Sequence, residues 1–271
     1  MHGSPAHRHP ERARVLPARR DPAVRAAPAG LGRQRRLTDP VATGSSGTEG
    51  PREAPGRVLA LFDLDGTITR RDTLLPYLAG FLRRHPQRLV RLPRLLPALA
   101  RFLLRRADRG ELKAALLQAT LGGCRRAELD AWTAHFVAGL LGQGLRGDAL
   151  AAIAAHRRRG DALALLSASP DVYVPAIAAA LGFGEVLCTE VEWDGERLVG
   201  TLTTPNRRGV EKVRCLAQLR ARHPQLPITA YGNTPGDLAH LGLADRGVLV
   251  NGSRRARRAA RRAGVDCRVW R

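Results

Sequence analysis

Short apolar runs alternate with amphipathic segments along most of the chain. Five runs have the length and aliphatic content of buried strands, and they comprise residues 58–62, 162–166, 186–188, 228–231 and 247–250. Segments with helical spacing separate the later runs, and they comprise residues 149–159, 172–181 and 210–222. Strands that alternate with helices favour a parallel sheet. The pattern therefore predicts an α/β fold, with residues 57–72 and 149–251 forming its core.

The region between the first two predicted strands has a different pattern. From residue 73 to residue 148 apolar side chains recur at helical spacing, as at Leu74 and Leu78, and no strand signal interrupts them. We predict an all-helical cap over residues 73–148, hinged over the loop that follows the first strand. Residues 190–202 differ again, because two short alternating runs flank Asp194-Gly195, a pair typical of a tight turn. They predict a small β-hairpin flap.

Both ends of the chain lie outside this pattern. Residues 1–56 hold eight of the 18 prolines and no Phe, Trp or Tyr, so they cannot bury enough apolar area to offset the loss of chain entropy. We predict a disordered Arg/Pro-rich segment there. A basic arm for polyanions and a start site placed too far upstream are the alternatives. Residues 252–271 contain eight arginines against Asp266 and predict a basic C-terminal helix or tail.

The net charge of +21 comes almost entirely from arginine. Only two of the 45 basic residues are lysines, Lys113 and Lys212, and so strong a preference indicates biased nucleotide composition. The two lysines are of interest because arginine cannot replace lysine at every kind of site. The predicted cap is also basic, since residues 81–126 carry twelve basic side chains against Asp108 and Glu111. Such a face can hold an anionic substrate, rest on phospholipid headgroups, or simply be solvated.

Cysteine usage and hydropathy indicate where the protein works. The four cysteines are scattered without Cys-x-x-Cys spacing, which favours reduced thiols over metal sites or disulfides. The N-terminal region lacks the continuous apolar stretch of a secretory signal. Residues 89–104 are the most apolar stretch, but arginines and prolines interrupt them, which argues against a spanning helix. We expect a cytoplasmic protein, with peripheral contact to an anionic membrane surface as a further expectation.

Chemistry is indicated first by the sequence Asp63-Leu64-Asp65-Gly66-Thr67, which directly follows the first predicted strand. Active sites of open α/β sheets lie at the carboxyl ends of strands. One carboxylate there can act as a nucleophile, and a second can protonate the leaving group and then activate water. We assign these roles to Asp63 and Asp65, respectively. An Asp-Gly turn that only ends a strand is the alternative.

Later segments place further polar groups near strand ends. Ser167 follows the second predicted strand, and its hydroxyl and the backbone N–H groups after it suit an anion. Lys212, early in a predicted helix, is a candidate fixed cation. Asn233 and Asp237 follow the fourth predicted strand and, with Asp63, offer hard oxygen ligands for Mg²⁺. Taken singly, a serine in this position is more often a helix cap, and a lone lysine is more often solvated.

Together the ordered motifs Asp-x-Asp-Gly-Thr, Ser, Lys and Gly-Asn-x-x-x-Asp resemble those of the haloacid dehalogenase (HAD) superfamily over about residues 58–251. They are most similar to the phosphoserine phosphatase-like hydrolases of subfamily IB. The resemblance implies a Rossmann-like core, a helical cap after the first motif, Mg²⁺ as cofactor and an aspartyl-phosphate intermediate. The metal ligands that it implies are Asp63, the backbone carbonyl of Asp65, Asn233 and Asp237. The phosphate contacts that it implies are Thr67, Ser167, Ala168 and Lys212.

One position departs from the pattern of the superfamily. Its last motif most often begins with aspartate, whereas this chain has Asn233, whose amide oxygen can bind Mg²⁺ but brings no charge. We expect phosphatase activity with a raised Mg²⁺ requirement. A non-catalytic protein that binds a phosphorylated ligand is the alternative.

Substrate choice is expected to depend on the cap, because the cap covers the catalytic loop. Arginines interleaved with leucines favour a small phosphorylated substrate that is lipid-linked. A soluble metabolite such as phosphoserine is the alternative, and its ammonium group would need a cap carboxylate from Asp72, Asp108 or Glu111. We expect no specific nucleic-acid partner, because the basic C-terminal region has no stacking aromatic residue beyond Trp270.

Overall fold

The apolar run at residues 58–62 forms the central strand of a parallel sheet in the computed structural model, which describes residues 57–271. The prediction for residues 1–56 lies outside the described residues. The strands are β1 (Leu59–Asp63), β2 (Ala162–Pro170), β3 (Glu185–Thr189), β4 (Val191–Asp194), β5 (Arg197–Leu202), β6 (Ile228–Gly232), β7 (Arg246–Val250) and β8 (Asp266–Arg268). The helices are α1 (Leu74–Arg84), α2 (Leu96–Leu103), α3 (Arg109–Leu121), α4 (Arg126–Gln143), α5 (Gly147–Arg158), α6 (Val174–Ala180), α7 (Val210–Arg222), α8 (Leu238–Leu243) and α9 (Arg254–Arg262).

The main sheet has six strands in the order β3-β2-β1-β6-β7-β8, and every neighbouring pair is parallel. Asp63 ends β1 beside Leu166 of β2, so Ser167 lies at the same edge of the sheet. On the other side of β1, Phe62 lies beside Tyr231 near the end of β6. The strand order changes direction here, at the kind of position where open α/β sheets bind ligands. The register therefore places Asp63, Ser167 and the end of β6 at the same edge of the sheet.

Both faces of β1 are buried. Ala60 and Phe62 belong to one hydrophobic cluster, whereas Leu59 and Leu61 belong to a second cluster on the opposite face. The first cluster includes residues of α5 and α6, and the second includes residues of α7, α8 and α9. Phe62 also stacks on Tyr231, with ring centroids 4.4 Å apart. A strand with two buried faces needs apolar residues at every position, which explains the uninterrupted apolar run.

The cap inserted between β1 and β2 is all-helical, as predicted, and comprises α1 to α4 with a 3-10 segment at Pro86–Leu95. Aromatic side chains join it to the core, since Tyr77 of α1 stacks on Tyr173 with ring centroids 4.5 Å apart. The ring centroid of Tyr77 also lies 5.8 Å from that of Trp132 on α4. Among residues 57–271, none of the helices combines the length and apolar character that crossing a membrane requires.

The flap is confirmed as an antiparallel hairpin of β4 and β5. It is fastened to the cap, because the N–H of Gly123 donates to the carbonyl of Leu198 at 2.7 Å and the N–H of Leu198 donates to the carbonyl of Cys124 at 3.0 Å. A Cβ at Gly200 would lie 2.9 Å from the backbone nitrogen of Gln118 in α3. Glycine at this position therefore permits the close approach of the hairpin to the cap.

The sheet extends beyond residue 251, where the sequence pattern places the end of the core. The predicted basic helix is present as α9, and β8 then adds a strand beside β7 by pairing Asp266 with Val248. Trp270 is buried, and its backbone N–H donates to Oδ1 of Asn251 at 2.9 Å. A strand of three residues is too short to show a period, so its place in the sheet depends on contacts that are distant in sequence.

Candidate active site

Asp63, the last residue of β1, is a buried carboxylate with two side-chain donors. Its Oδ1 accepts a hydrogen bond from Nζ of Lys212 at 2.6 Å, and its Oδ2 accepts one from Oγ1 of Thr67 at 2.9 Å. Burial raises the pKa of Asp63 to about 7, against the opposing effect of the Lys212 charge. The side chain of Thr67, predicted as a phosphate contact, is buried and holds the predicted nucleophile.

The loop Leu64–Ile68 turns tightly after β1, and the turn requires glycine. Gly66 has a φ of 80°, in the left-handed region, and a Cβ there would lie 2.1 Å from Nδ2 of Asn233. Glycine alone satisfies both the backbone angle and the space. The loop after β1 can therefore touch the loop after β6, which brings two predicted site segments together.

Asp65 lies on this loop and is surrounded by hydrogen-bond donors. Its Oδ1 accepts from the backbone N–H of Thr73 at 2.8 Å and from the hydroxyl of Thr73 at 2.6 Å. Its Oδ2 accepts from the hydroxyls of Ser169 at 2.7 Å and Ser167 at 3.4 Å. Burial nevertheless raises the pKa of Asp65 above its ordinary value. A carboxyl group that stays protonated to higher pH is suited to donating a proton.

Thr73 and Ser169 complete the surroundings of Asp65, and neither was predicted as a site residue. Thr73 precedes the first cap helix, and Ser169 is separated from Asp65 by 104 positions in the chain. Only the serine could have been noticed, because it follows the predicted Ser167 after one residue. The hydrogen bonds of Thr73 and Ser169 with Asp65 depend on the fold.

Lys212 is a buried cation between two carboxylates. Its Nζ donates to Oδ1 of Asp63 at 2.6 Å and to Oδ1 of Asp237 at 2.7 Å. Burial opposes the charge, but the two carboxylates together raise the pKa of Lys212 above its ordinary value. The predicted fixed cation is therefore held charged, close to the predicted nucleophile.

Asp237 is held by the loop after β6 as well as by Lys212. Its Oδ2 accepts hydrogen bonds from the backbone N–H of Thr234 at 2.8 Å, from the hydroxyl of Thr234 at 2.7 Å and from the N–H of Asn233 at 3.2 Å. Burial alone would raise the pKa of Asp237, but the charge of Lys212 and these donors lower it to about 2. Asp237 is thus ionised at neutral pH, as a metal ligand must be.

The side chain of Asn233 bears directly on the predicted Mg²⁺ site. Its Oδ1 atom is buried and has no hydrogen-bond partner, and such an atom needs a donor or a cation to offset its desolvation. Asp63 and Asp237 lie on either side of Lys212 in the same cluster. Among residues 57–271, no three His, Cys, Asp or Glu side chains are grouped as a metal site. A hard cation here would therefore use amide and backbone oxygens besides carboxylates, a donor set that fits Mg²⁺.

Ser167 and Ala168, predicted as phosphate contacts, lie at the end of β2. Ser167 is buried, and its Oγ also accepts a hydrogen bond from the N–H of Ser169 at 3.0 Å. Ala168 lines the cleft that contains Asp63 and Asp65. Its carbonyl accepts hydrogen bonds from Lys113 and from the hydroxyl of Thr189.

The cleft over these residues has a volume of about 510 Å³ and is walled by the cap. The apolar part of this wall comes from α1, α2 and α3, and it consists of Leu74, Leu75, Phe102, Leu112 and Leu116. The cap also contributes the cationic side chains Arg109 and Lys113, and the core contributes Arg208 and Lys212. A ligand of the cleft therefore meets an apolar surface on one side and positive charge on another.

Lys113, on α3 of the cap, contacts the core through its side chain. Its Nζ donates to the carbonyl of Ala168 and to Oδ1 of Asn206 at 2.6 Å. Burial lowers the pKa of Lys113 to about 8, against the opposing effects of Asp65 and Asp72. The sequence carried a signal for this residue, because both lysines of the chain, Lys113 and Lys212, line the same cleft.

Comparison with known proteins identifies the protein family to which the chain belongs. Residues 60–241 match the haloacid dehalogenase-like hydrolases. The chain is also 34% identical over 190 residues to Protein CicA of Caulobacter vibrioides, a match that covers 69% of this chain and 83% of CicA. The chain belongs to the haloacid dehalogenase-like hydrolases, which confirms the resemblance seen in the motifs.

Solved structures show the same fold. A Bordetella pertussis protein of unknown function is similar with a TM-score of 0.65 and 24% identity, and the match covers 78% of this chain and 97% of that one. A phosphoserine phosphatase in a substrate-bound complex is similar with a TM-score of 0.56 and 13% identity, covering 80% of this chain and 94% of the enzyme. At these identities the likeness concerns the fold alone.

Proposed function

We propose that this HAD hydrolase is a Mg²⁺-dependent phosphomonoester phosphatase that forms an aspartyl-phosphate on Asp63. The observation that carries the proposal is the contrast between two carboxyl groups after one strand. Oδ1 of Asp63 accepts a hydrogen bond from the ammonium group of Lys212, whose charge favours the ionised carboxylate, whereas the donors around Asp65 are neutral hydroxyl and amide groups. A carboxylate beside a cation supports nucleophilic attack, and a protonated carboxyl group supports acid catalysis.

In the first half-reaction, an oxygen of Asp63 attacks phosphorus, and the bond from phosphorus to the ester oxygen breaks as the new one forms. Asp65 transfers its proton to the departing oxygen, so the alcohol leaves neutral. Lys212, 2.6 Å from Asp63, keeps the nucleophile oriented and offsets negative charge that the phosphoryl group brings. The products of this step are the alcohol, the aspartyl-phosphate and ionised Asp65.

In the second half-reaction, water attacks the phosphorus of the aspartyl-phosphate. Asp65, now ionised, accepts a proton from this water, and the bond between phosphorus and the Asp63 oxygen breaks. Inorganic phosphate leaves, and both carboxyl groups return to their starting states. The hydrogen bonds from Thr73 keep Asp65 in place for both proton transfers.

Mg²⁺, when bound, supplies positive charge to the oxygens of the phosphoryl group. The residues that would hold it are Asp63, Asn233, Asp237 and the backbone carbonyl of Asp65. The buried, unpartnered Oδ1 of Asn233 supports this assignment.

The cleft favours a substrate with an apolar group next to its phosphate. Leu75, Phe102 and Leu112 present apolar surface on the cap side, and Arg109 adds positive charge. Both features suit a lipid-linked phosphomonoester, because apolar chains and anionic groups are recognised by such surfaces.

A soluble substrate with an ammonium group, such as phosphoserine, is the second candidate. Among the three predicted cap carboxylates, Asp72 lines the cleft. Asp108 instead caps α3 by accepting from the N–H of Glu111 at 2.8 Å, and Glu111 pairs with Arg101 at 2.8 Å. Asp72 is therefore the carboxylate that favours this candidate.

A substrate panel tests the proposal. The full chain with Mg²⁺ is expected to release phosphate from phosphomonoesters and to stop when a chelator removes the metal. Among phosphoserine, sugar phosphates and lysophospholipid phosphates, we expect the largest kcat/KM for the lipids. A preference for phosphoserine would favour the soluble alternative. Binding of these compounds without turnover would instead favour a non-catalytic protein.

Asn233→Asp is expected to lower the Mg²⁺ concentration needed for half-maximal activity. The added carboxylate brings one negative charge to the ligand set, and each charge at a hard-cation site strengthens binding. The measurement is a Mg²⁺ titration of the initial rate, with Asn206→Asp as the control because Asn206 lines the cleft beside Lys113. An unchanged Mg²⁺ requirement in Asn233→Asp would remove Asn233 from the metal site.

The pKa of Lys113, about 8, predicts a pH dependence of substrate binding. A lysine is charged below its pKa and neutral above it, so an anionic substrate should bind more weakly as pH rises above 8. Loss of a hydrogen bond to a charged group is worth about tenfold in KM. Lys113→Met should raise KM and make it independent of pH in this range. Lys113→Arg should keep KM low, and a rise above pH 8 in this variant would contradict the assignment.

A further inference from the structure

Residues 86–104 of the cap, here called the cap strip, leave apolar side chains on the surface. Neither the 3-10 segment Pro86–Leu95 nor α2 contains a buried residue. Six apolar side chains of the strip are between 41% and 79% exposed, and they are Leu89, Val90, Leu96, Leu99, Leu103 and Leu104. Single exposed apolar residues are ordinary, whereas a contiguous set of this size marks an interaction surface.

Polar bonds help to fasten the strip to the cap. Nη1 of Arg88 donates to the carbonyl of Thr120 at 3.3 Å and to that of Gly122 at 3.1 Å. Nη1 of Arg91 donates to the carbonyl of Gly122 at 2.7 Å, and Arg101 pairs with Glu111 at 2.8 Å. The position of the strip is thus fixed while its apolar side chains remain available to a partner.

The positive charge around the cap strip indicates which kind of partner can bind it. Residues 83–106 contain eight arginines and no acidic residue. A second copy of the chain would bring two such arginine sets together, which costs free energy because like charges repel. Residues 1–56 are also net basic, with ten arginines against five acids, so they do not complement the strip. A nucleic acid would match the charge but would leave the leucines in water.

We propose that the cap strip docks on the surface of an anionic phospholipid bilayer. Leucines enter the boundary between headgroups and acyl chains, while arginines such as Arg94 and Arg106 pair with lipid phosphates. Apolar area and basic charge together govern the binding of a helix that lies in the interface. The proposal concerns docking and does not depend on the reaction that the cleft performs.

Docking would also bring the cleft to the lipid. Phe102 of α2 lines the cleft, and its neighbour Leu103 is 71% exposed on the strip. Leu75, on α1, is 62% exposed and lines the cleft as well. The apolar wall of the cleft is therefore continuous with the apolar surface outside it. This part of the inference rests on the proposed function, because it makes a lipid-borne phosphomonoester the substrate.

Vesicle sedimentation with the full chain tests the docking. The chain should bind vesicles of phosphatidylcholine with phosphatidylglycerol at low salt, and it should bind phosphatidylcholine alone more weakly. Leu96→Ser/Leu103→Ser should lower the partition coefficient about a hundredfold, since burial of one leucine is worth about tenfold. Arg94→Gln/Arg106→Gln should lower it about fivefold for each arginine. Both leucines are exposed, so the fold should tolerate the change.

Matched variants separate the strip from other surfaces. Leu243→Ser removes an exposed leucine on α8, and Arg258→Gln/Arg261→Gln removes charge from α9. Both should bind vesicles like the unmodified chain. Hydrolysis of a soluble phosphomonoester should be equal in Leu96→Ser/Leu103→Ser and the unmodified chain, so a failure of docking is distinguished from a failure of catalysis.

Several outcomes would overturn the proposal. These are absence of binding to anionic vesicles at low salt, equal binding of Leu96→Ser/Leu103→Ser and the unmodified chain, or binding lost only in the α9 variant. Self-association without lipid that the leucine variant abolishes would assign the strip to a second copy of the chain. RNA binding lost in Arg94→Gln/Arg106→Gln, without vesicle binding, would assign it to a nucleic acid.

Discussion

Asp63→Asn is expected to abolish phosphomonoester hydrolysis and to leave the protein folded. Asparagine has the shape of aspartate, but its amide does not form the acyl-phosphate, so kcat should fall by about 10⁴ or more. The pKa of Asp63 is raised to about 7, which means that folding at pH 8 includes the cost of ionising a buried carboxyl group. A neutral side chain avoids this cost but also removes one of the two carboxylates that pair with Lys212, so the two effects oppose each other and the chain should stay folded at pH 8 without metal.

Initial rates with Mg²⁺ and thermal unfolding at pH 8 measure the two effects. Asp194→Asn, at the end of β4 beside the turn of the flap hairpin, is the matched control and should change neither quantity. Rapid acid quenching should trap phosphate on the unmodified chain and none on Asp63→Asn. Turnover by Asp63→Asn close to the unmodified rate would show that the nucleophile is another group.

Lys212→Met is expected to lower both stability and activity. The change leaves Asp63 and Asp237 buried without their shared cation, and breaking a buried ion pair in this way costs about 3–5 kcal/mol. Asp237 contributes stability in the unmodified chain above its unfolded pKa, because its folded pKa is lowered to about 2. In Lys212→Met the two carboxyl groups should bind protons more readily. The stability difference between the two chains should therefore be large at neutral pH and should shrink as pH falls towards 4.

Urea unfolding at several pH values measures this difference. Arg214→Met, on the same helix but exposed and paired with Glu211, should change the free energy of unfolding by less than about 0.5 kcal/mol. Mg²⁺ should restore part of the stability of Lys212→Met, since it would neutralise the same carboxylates. A difference that stays constant with pH would show that the loss comes from packing and not from charge.

Much of the fold follows from local pattern. The apolar runs predict the parallel strands, and the helical spacing after Thr73 predicts the cap, because both periods can be recognised within one element. The local pattern did not predict strand β8. Its three residues become a strand only by pairing with β7, and that contact lies across the helix α9.

The residues of the candidate site likewise divide into those that the local sequence indicates and those that depend on tertiary packing. Asp63 ends β1, and Asp65 and Asn233 lie in the loops after β1 and β6, so their positions in the sequence indicate their positions in space. Ser169 and Lys113 reach the site from elements whose arrangement depends on tertiary packing. The metal set is also a tertiary property, because only the folded structure shows that Oδ1 of Asn233 is buried without a hydrogen-bond partner.

The bond between Asp65 and Thr73 links proton transfer to the position of the cap. Thr73 immediately precedes the first cap helix, and it supplies two of the hydrogen bonds that hold Asp65. If the cap swings away to admit substrate or release the alcohol, those bonds are strained or lost, and the acid is no longer aligned. Under the proposed mechanism, Asp65 would then be aligned for proton transfer when the cap is closed and misaligned when the cap is open.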